Sequence, residues 1–142
     1  MTKWVYSFGN GSAEGNAAMA ASLGAKGAGL AEMCRLGLPV PPGFTITAEA
    51  CAHYQAHIKA FPPGLRDQVG TALARLGGFG DAEKPLLVSV RPDAVMPGGM
   101  GTLLNLGLDA AGVDALAKRS GDARFAWDTY CRFIQNYAAS VL

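Results

Sequence analysis

The sequence predicts a mixed α/β protein, also describable as α+β, with a small mixed sheet and about five helices. Short runs of β-branched and aromatic residues predict strands, and apolar residues at three to four residue spacing predict helices. Clusters of Gly and Pro separate the two kinds of segment. The length of 142 residues fits one domain over residues 1–142 with a buried core.

The first quarter of the chain contains one predicted strand and one predicted helix. Trp4–Phe8 alternates strand-forming residues, and the Gly-rich segment 9–16 that follows is predicted as loop or turns only. Ser22 is the expected N-cap of a helix over 23–36, and Gly37 is placed to end it.

The prolines of segment 39–42 exclude regular structure before the next pair of elements. Phe44–Thr47 alternates as a short strand, and a helix is expected over 48–59. A third helix carries an apolar stripe from Leu65 to Leu76 and ends at the glycines 77–78.

The second half is organised around a continuous apolar run, Leu86–Val90. It predicts a strand buried on both faces, which makes it the best candidate for the centre of the sheet. Thr102–Leu106 is the expected antiparallel or crossing neighbour. Two helices are predicted after it, over 110–119 and 122–141.

The last predicted helix carries one amphipathic stripe that runs to the end of the chain without a capping glycine. Its members are Ala126, Tyr130, Phe133, Ile134, Tyr137 and Val141. The missing cap predicts that the chain is truncated. A stripe left without a partner predicts that the chain forms a concentration-dependent homodimer, aggregates, or binds a separate chain. The alternative is a helix that folds back and buries the stripe on the sheet.

Composition excludes several classes of partner. Twelve Lys and Arg against eleven Asp and Glu give a net charge of +1, so no nucleic-acid or anionic-lipid partner is expected. No apolar run is long enough for a membrane span and the amino terminus does not resemble a signal peptide, so we expect a cytoplasmic protein. Three cysteines without a Cys-x-x-Cys pair are expected to be reduced and packed, with no zinc site.

The segment Leu23–Leu30 is the most informative for function, because three glycines crowd the start of a helix around Lys26. Each costs up to about 1 kcal/mol relative to alanine, so something must require them. Close backbone approach to a phosphate is one reason, since helix N-termini favour anions. The other reason is close packing of the helix, with Lys26 as an ordinary surface lysine. The segment does not match the P-loop pattern.

A second candidate segment follows Arg91 at the end of the apolar run. The amides around Gly98, Gly99 and Gly101, with Thr102 beside them, are suited to cradle phosphate oxygens, and an arginine at a strand end can pair with them. On composition alone, an ordinary Gly-rich connection with a solvated arginine is slightly favoured.

His53 and His57 lie one turn apart on a predicted helix, with Glu49 a further turn back, which is the pattern of a half-site for a divalent metal. Surface histidines on a solvated face are the favoured interpretation. We therefore predict no metal-ligating residues, and no catalytic residues, on this chain.

Six segments together resemble the amino-terminal nucleotide-binding domain of the pyruvate, phosphate dikinase family, in order and with matching spacing. They are Leu23–Met33, Gly37–Thr47, Leu86–Arg91, Leu104–Leu108, Arg124–Tyr130 and Arg132–Gln135. Phosphoenolpyruvate synthases share the lysine and arginine segments, but segment 4–15 and the Asn-Leu-Gly-Leu run favour the dikinase.

The resemblance implies the front subdomain of an ATP-grasp-like domain that binds Mg-ATP. In the family, ATP, phosphate and pyruvate give AMP, pyrophosphate and phosphoenolpyruvate through a mobile phosphohistidine domain and a pyruvate-binding barrel. Lys26 and Arg91 match the residues that contact ATP phosphates, and segment 96–102 matches the loop over them. No Thr-Ser-His phosphocarrier segment is present, so the chain by itself is not expected to turn over.

Two departures from the family pattern affect this site. After Arg91 the family usually continues Ser-Gly-Ala, and its loop carries Met-Met-Asp where this chain has Gly99-Met100-Gly101. The family also reaches its Met-Pro-Gly two residues later than this chain does, so the loop here is shorter, and it lacks a carboxylate. The function expected is weak ATP binding, and the alternatives are a non-catalytic remnant that associates through its last helix or a module for another phosphorylated ligand.

Overall fold

The computed structural model describes residues 1–79, 81, 83–92 and 101–141, and it confirms a mixed α/β architecture. The chain divides into two compact units, Met1–Leu76 and Gly77–Leu142. A single domain over residues 1–142 stays a prediction.

The first unit contains three strands and three α-helices. In chain order they are β1 (Val5–Gly9), β2 (Ser12–Ala13), a 3-10 helix (Ala17–Met19), α1 (Ala20–Arg35), β3 (Gly43–Ile46), α2 (Ala48–Ala56) and α3 (Leu65–Arg75). The strands form one antiparallel sheet in the order β2-β1-β3, with Val5 opposite Ile46 and Phe8 opposite both Gly43 and Ala13.

The prediction that segment 9–16 is only loop is wrong at Ser12–Ala13, which pairs with β1. The hairpin turns at Asn10 and Gly11, whose φ angles of 53° and 77° are the left-handed pair that matches the twist of a tight hairpin. An Asn-Gly dipeptide is a recognised hairpin signal. The strand Ser12–Ala13 is not predictable from periodicity, because two residues are too few to show alternation.

Helix α1 begins earlier than predicted, and Ser22 is not its N-cap. Asn16 caps the preceding 3-10 helix, where its Oδ1 accepts a hydrogen bond from the Ala18 amide at 2.9 Å. The chain is therefore already helical when it reaches Ser22. The predicted end is confirmed, because Gly37 has φ of 78° and Leu38 donates to the Met33 carbonyl, as in a Schellman motif.

Helix α2 lies directly after β3 and is shorter than predicted. Thr47 is not a strand residue but the helix cap, and its Oγ1 accepts from the Ala50 amide at 3.3 Å. The helix ends at Ala56 because Ile58 and Lys59 adopt left-handed φ angles of 51° and 59°. The end of α3 agrees with prediction, since Gly77 and Gly78 both have positive φ.

One cluster of the first unit's core lies between β1, α2 and α3. Its buried residues are Val5, Ala50, Leu65 and Ala72, with Trp4, Phe44 and Val69 packed against them. Gln68 of α3 also binds the start of β1: its Oε1 accepts from the Trp4 amide at 2.7 Å, and its Nε2 donates to the Thr2 carbonyl at 2.8 Å. These bonds satisfy backbone groups at the sheet end.

The second unit contains β4 (Val88–Val90), β5 (Leu103–Leu106), α4 (Ala110–Ser120) and α5 (Ala123–Val141). The two helices agree with prediction, and β5 is the predicted antiparallel neighbour of β4. Asp109 caps α4 by accepting from the Gly112 amide at 2.7 Å, and Gly121 ends the helix with φ of 70°. The core contains Leu108, Val113 and Ala126.

The prediction that Leu86–Val90 is a doubly buried central strand is wrong. Its strand is three residues long, Ser89 is exposed, and Val88 and Val90 are only half-buried. Within the described residues β4 pairs with β5 alone, in a two-stranded sheet. A run of apolar residues reports hydrophobicity on both faces, but which elements cover those faces depends on tertiary packing.

The amphipathic stripe of α5 is buried over its first half. Ala126 is fully buried, and Tyr130 and Phe133 pack against the same cluster, whereas Ile134 and Tyr137 are 48% and 37% exposed. The fold-back alternative therefore holds for Ala126–Phe133 and not for Ile134 and Tyr137, and the side chain of Val141 lies outside the described residues. Among the described residues, no helix combines the length and the hydropathy needed to cross a bilayer.

The cysteines differ from the prediction that all three are packed. Cys34 is buried and donates a hydrogen bond from Sγ to the Ser12 carbonyl at 3.1 Å. Cys51 and Cys131 are exposed, because they lie on the solvent sides of α2 and α5. All three are free thiols.

Candidate functional site

Lys26 is an exposed side chain directly after a break in α1. The break is at Gly24, where φ of 69° and ψ of 166° interrupt the helical backbone. A residue with a side chain rarely adopts this conformation, which explains the glycine. Lys26 therefore lies in the first turn of the continuing helix, where backbone N–H groups favour an anion.

The other two glycines of the segment have different surroundings. A Cβ on Gly27 would lie 2.8 Å from both Cγ2 and Oγ1 of Thr45, so this glycine allows α1 to approach β3 closely. A Cβ on Gly29 would meet no atom within 4 Å. The expectation that something requires all three glycines is explained for Gly24 and Gly27, and packing does not explain Gly29.

Two side-chain hydrogen bonds anchor the chain around the break. Ser22 Oγ donates to Glu49 Oε1 of α2 at 2.6 Å, and Glu32 Oε2 accepts from the Ala17 amide at 3.1 Å. The Ser22 hydroxyl, followed by the Glu49 amide, holds the pKa of the Glu49 carboxyl below its ordinary value. Sequence reasoning missed the Ser22 to Glu49 bond, because the two residues are far apart in the chain.

The arginine segment lies at one end of the β4–β5 ladder. Val90 is opposite Leu103, so Arg91 and Thr102 flank the same end of the two strands. Arg91, Gly101 and Thr102 are all exposed. The predicted residues Gly98 and Gly99, and the 96–100 part of the loop, lie outside the described residues.

The structure thus groups three of the predicted phosphate-contacting residues, Arg91, Gly101 and Thr102, in the second unit. Lys26 lies in the first unit. A shallow groove with a volume of about 530 Å³ is present between α2 and α3, lined by residues 59–64 with Arg66 and Asp67. None of the predicted site residues that the structure describes lines it.

His53 and His57 contact each other, and Glu49 contacts a residue of another helix. Their rings stack at a centroid distance of 3.9 Å, and Nδ1 of His57 lies 2.9 Å from the His53 carbonyl oxygen. Glu49 is instead engaged by Ser22. His53 is half-buried beside Trp4 with its Nδ1 enclosed and unpartnered, so the prediction of a solvated face is wrong for His53. In the part of the chain that the structure describes, no three His, Cys, Asp or Glu residues form a metal-binding group.

One protein-family model matches part of the first unit. The family described as "Pyruvate phosphate dikinase, AMP/ATP-binding domain" matches residues 20–60, which include the helix break, Lys26, β3 and α2. The matched segment is therefore the part of the first unit that carries the candidate site.

Individual relatives extend the match to the whole chain. A pyruvate, phosphate dikinase of Rhizobium meliloti is 54% identical over 149 residues, covering 100% of this chain and 17% of the relative. That of Clostridium symbiosum is 50% identical with the same coverage, and the chloroplastic enzyme of Flaveria trinervia is 49% identical over 99% of this chain and 15% of its own length. The chain is thus homologous to a small amino-terminal part of pyruvate, phosphate dikinases.

Proposed function

We propose that this chain binds Mg-ATP as the front part of an ATP-grasp-like nucleotide-binding domain, with Lys26 contacting a phosphate. The observation that carries the proposal is the exposed Lys26 in the first turn after the Gly24 break, inside the segment that matches an AMP/ATP-binding domain. A cation at a helix start is unfavourable alone, and a bound phosphate removes that penalty.

The exposed residues at the end of the β4–β5 ladder are proposed as further phosphate contacts. Arg91 supplies a planar guanidinium that suits phosphate oxygens, and Thr102 supplies a hydroxyl donor. Backbone amides of Gly98, Gly99 and Gly101 are proposed to contribute as the resemblance implies. Charge-assisted contacts contribute about 1.5–3 kcal/mol each, so two or three of them support roughly millimolar affinity.

The chain spans about 17% of the length of the Rhizobium and Clostridium relatives, and we propose that these 142 residues alone do not catalyse the dikinase reaction. Their two histidines, His53 and His57, stack on one another outside any Thr-Ser-His segment. No group on the chain is therefore proposed to carry phosphate to pyruvate. The function proposed for this chain is therefore ATP binding alone.

The test is a calorimetric titration with Mg-ATP on the unaltered chain and on Lys26→Ala. We expect magnesium-dependent binding of roughly millimolar strength that weakens about tenfold or more in Lys26→Ala, because one charge-assisted contact is lost. Lys118→Ala, which removes an exposed lysine of α4, is the matched control and should bind as the unaltered chain does. Equal heats of binding for Lys26→Ala and Lys118→Ala would show that Lys26 does not contact the nucleotide.

A second candidate is a non-catalytic module that associates with a second copy or a separate chain through α5. The exposed Trp127 and Ile134, at 49% and 48%, favour it, because large apolar side chains at helical spacing are typical of association surfaces. The same titration separates the two candidates. A pure interaction module shows no magnesium-dependent response to ATP.

A further inference from the structure

We infer that Glu49 is a positioning residue for Lys26, acting through its hydrogen bond to Ser22. The inference rests on the proposed function, since it concerns the same ATP-binding turn. Glu49 lies on a different helix from Lys26, and the Ser22 Oγ to Glu49 Oε1 distance of 2.6 Å joins the two helices directly before the Gly24 break.

Glu49 is held on a rigid support. It lies in the first turn of α2, where the buried Thr47 caps the helix and Ala50, the next residue, is buried in the core of the first unit. The backbone on both sides of Glu49 is thereby fixed. An acceptor oxygen at this position can restrain Ser22, whose hydroxyl donates to it.

Ser22 needs such a restraint because the backbone changes direction two residues later. Gly24 has no side chain to limit its φ and ψ angles, so the path of the chain through the break must be fixed from either side. After the break, the contact of Gly27 with Thr45 fixes α1 against β3. Before the break, the chain is held by the buried side chain of Leu23 and by the hydrogen bond from Ser22 to Glu49 of α2.

The role assigned to Glu49 is geometric and does not come from its charge. A carboxylate beside an ATP-binding turn repels phosphate, so its negative charge alone would weaken binding. The acceptor oxygen is what restrains Ser22. A glutamine at this position keeps an acceptor oxygen and loses the charge, whereas an alanine loses both, and the two substitutions therefore separate positioning from electrostatics.

The first measurement is the Mg-ATP dissociation constant of Glu49→Ala, Glu49→Gln, Ser22→Ala and the Ser22→Ala/Glu49→Ala double variant. We expect Ser22→Ala to weaken binding about fivefold, the strength of one hydrogen bond, and Glu49→Ala to weaken it by less, because loss of the carboxylate also removes its repulsion of phosphate. The double variant should be no weaker than either, and Glu49→Gln should bind within about twofold of the unaltered chain or more tightly. Gln55→Ala, on the exposed side of α2, is the control.

The second measurement needs no nucleotide: it is amide hydrogen exchange at residues 28–30, the first amides after the break that can bond within the helix. Exchange there should accelerate in Glu49→Ala and Ser22→Ala but not in Glu49→Gln or Gln55→Ala. If exchange follows this pattern but no variant binds ATP, the proposed function is refuted, and the claim that Glu49 restrains the turn stands. Equal effects of Glu49→Ala and Glu49→Gln, or unchanged exchange in Ser22→Ala, would overturn the inference, and Ser22→Ala decides the matter if Glu49→Ala does not fold.

Discussion

The three glycines around Lys26 show how different physical requirements select the same residue. Gly24 is needed for a left-handed φ angle, and Gly27 is needed because Thr45 occupies the space of a side chain. Gly29 has an ordinary helical backbone, and a Cβ placed on it would meet no atom within 4 Å. The sequence pattern marks all three equally, and their surroundings distinguish them.

Alanine substitution at Gly27 and Gly29 should therefore change stability in opposite directions. Gly27→Ala forces Thr45 or the helix to shift and should lower the free energy of unfolding by about 1–3 kcal/mol. Gly29→Ala removes backbone entropy from the unfolded chain and should raise it by up to about 1 kcal/mol. Urea denaturation measures both, and equal changes at the two positions would contradict the packing of α1 on β3.

At the scale of elements, one carboxylate connects three parts of the first unit. Glu14, directly after β2, accepts from the Ser7 amide of β1 at 2.7 Å and pairs with Lys3 at 3.0 Å and with Arg75 of α3 at 4.0 Å. Burial raises the pKa of Glu14. The hydrogen bonds from Ser7 and Lys3 and the charges of Lys3 and Arg75 outweigh it, so the pKa lies below the ordinary value of 4.5.

The stabilising contribution of Glu14 should be present above pH 4.5 and lost as the pH falls through the lowered folded-state pKa. The Glu14 side chain is 37% exposed, so solvent screening limits the effect to about 0.2–1 kcal/mol. Urea midpoints measured from about pH 6 to pH 3 should fall less steeply in Glu14→Gln than in the unaltered chain. Parallel curves for the two proteins would show that Glu14 makes no such contribution.

Periodicity predicted the helices well because each buries one stripe: α3, α4 and α5 begin and end within two residues of expectation. Features decided by distant residues were not predictable in this way. The strand Val88–Val90 lacks the cover its apolar run suggests, and Ser22 bonds to another helix instead of capping its own. The Gly-rich helix start made Lys26 a candidate from the sequence, and its role stays a proposal. The hydrogen bond between Ser22 and Glu49 could not be predicted, because it depends on how α1 and α2 meet in the folded chain.

At the scale of the whole molecule, the proposed phosphate contacts are distributed over both units. Lys26 belongs to Met1–Leu76, and Arg91 and Thr102 belong to Gly77–Leu142. Lys26→Ala and Arg91→Ala therefore test the two groups of proposed contacts separately. Similarity to pyruvate, phosphate dikinases extends along the whole chain, whereas the family match is confined to residues 20–60.

The most direct test of ATP binding at the Lys26 turn is a Mg-ATP titration followed by backbone amide NMR shifts. We predict saturable shifts at residues 25–27 that depend on magnesium and are strongly reduced in Lys26→Ala, while amides of α4 remain unchanged. A titration that reaches several millimolar nucleotide without shifts at residues 25–27, or with equal shifts in Lys26→Ala, would contradict the account.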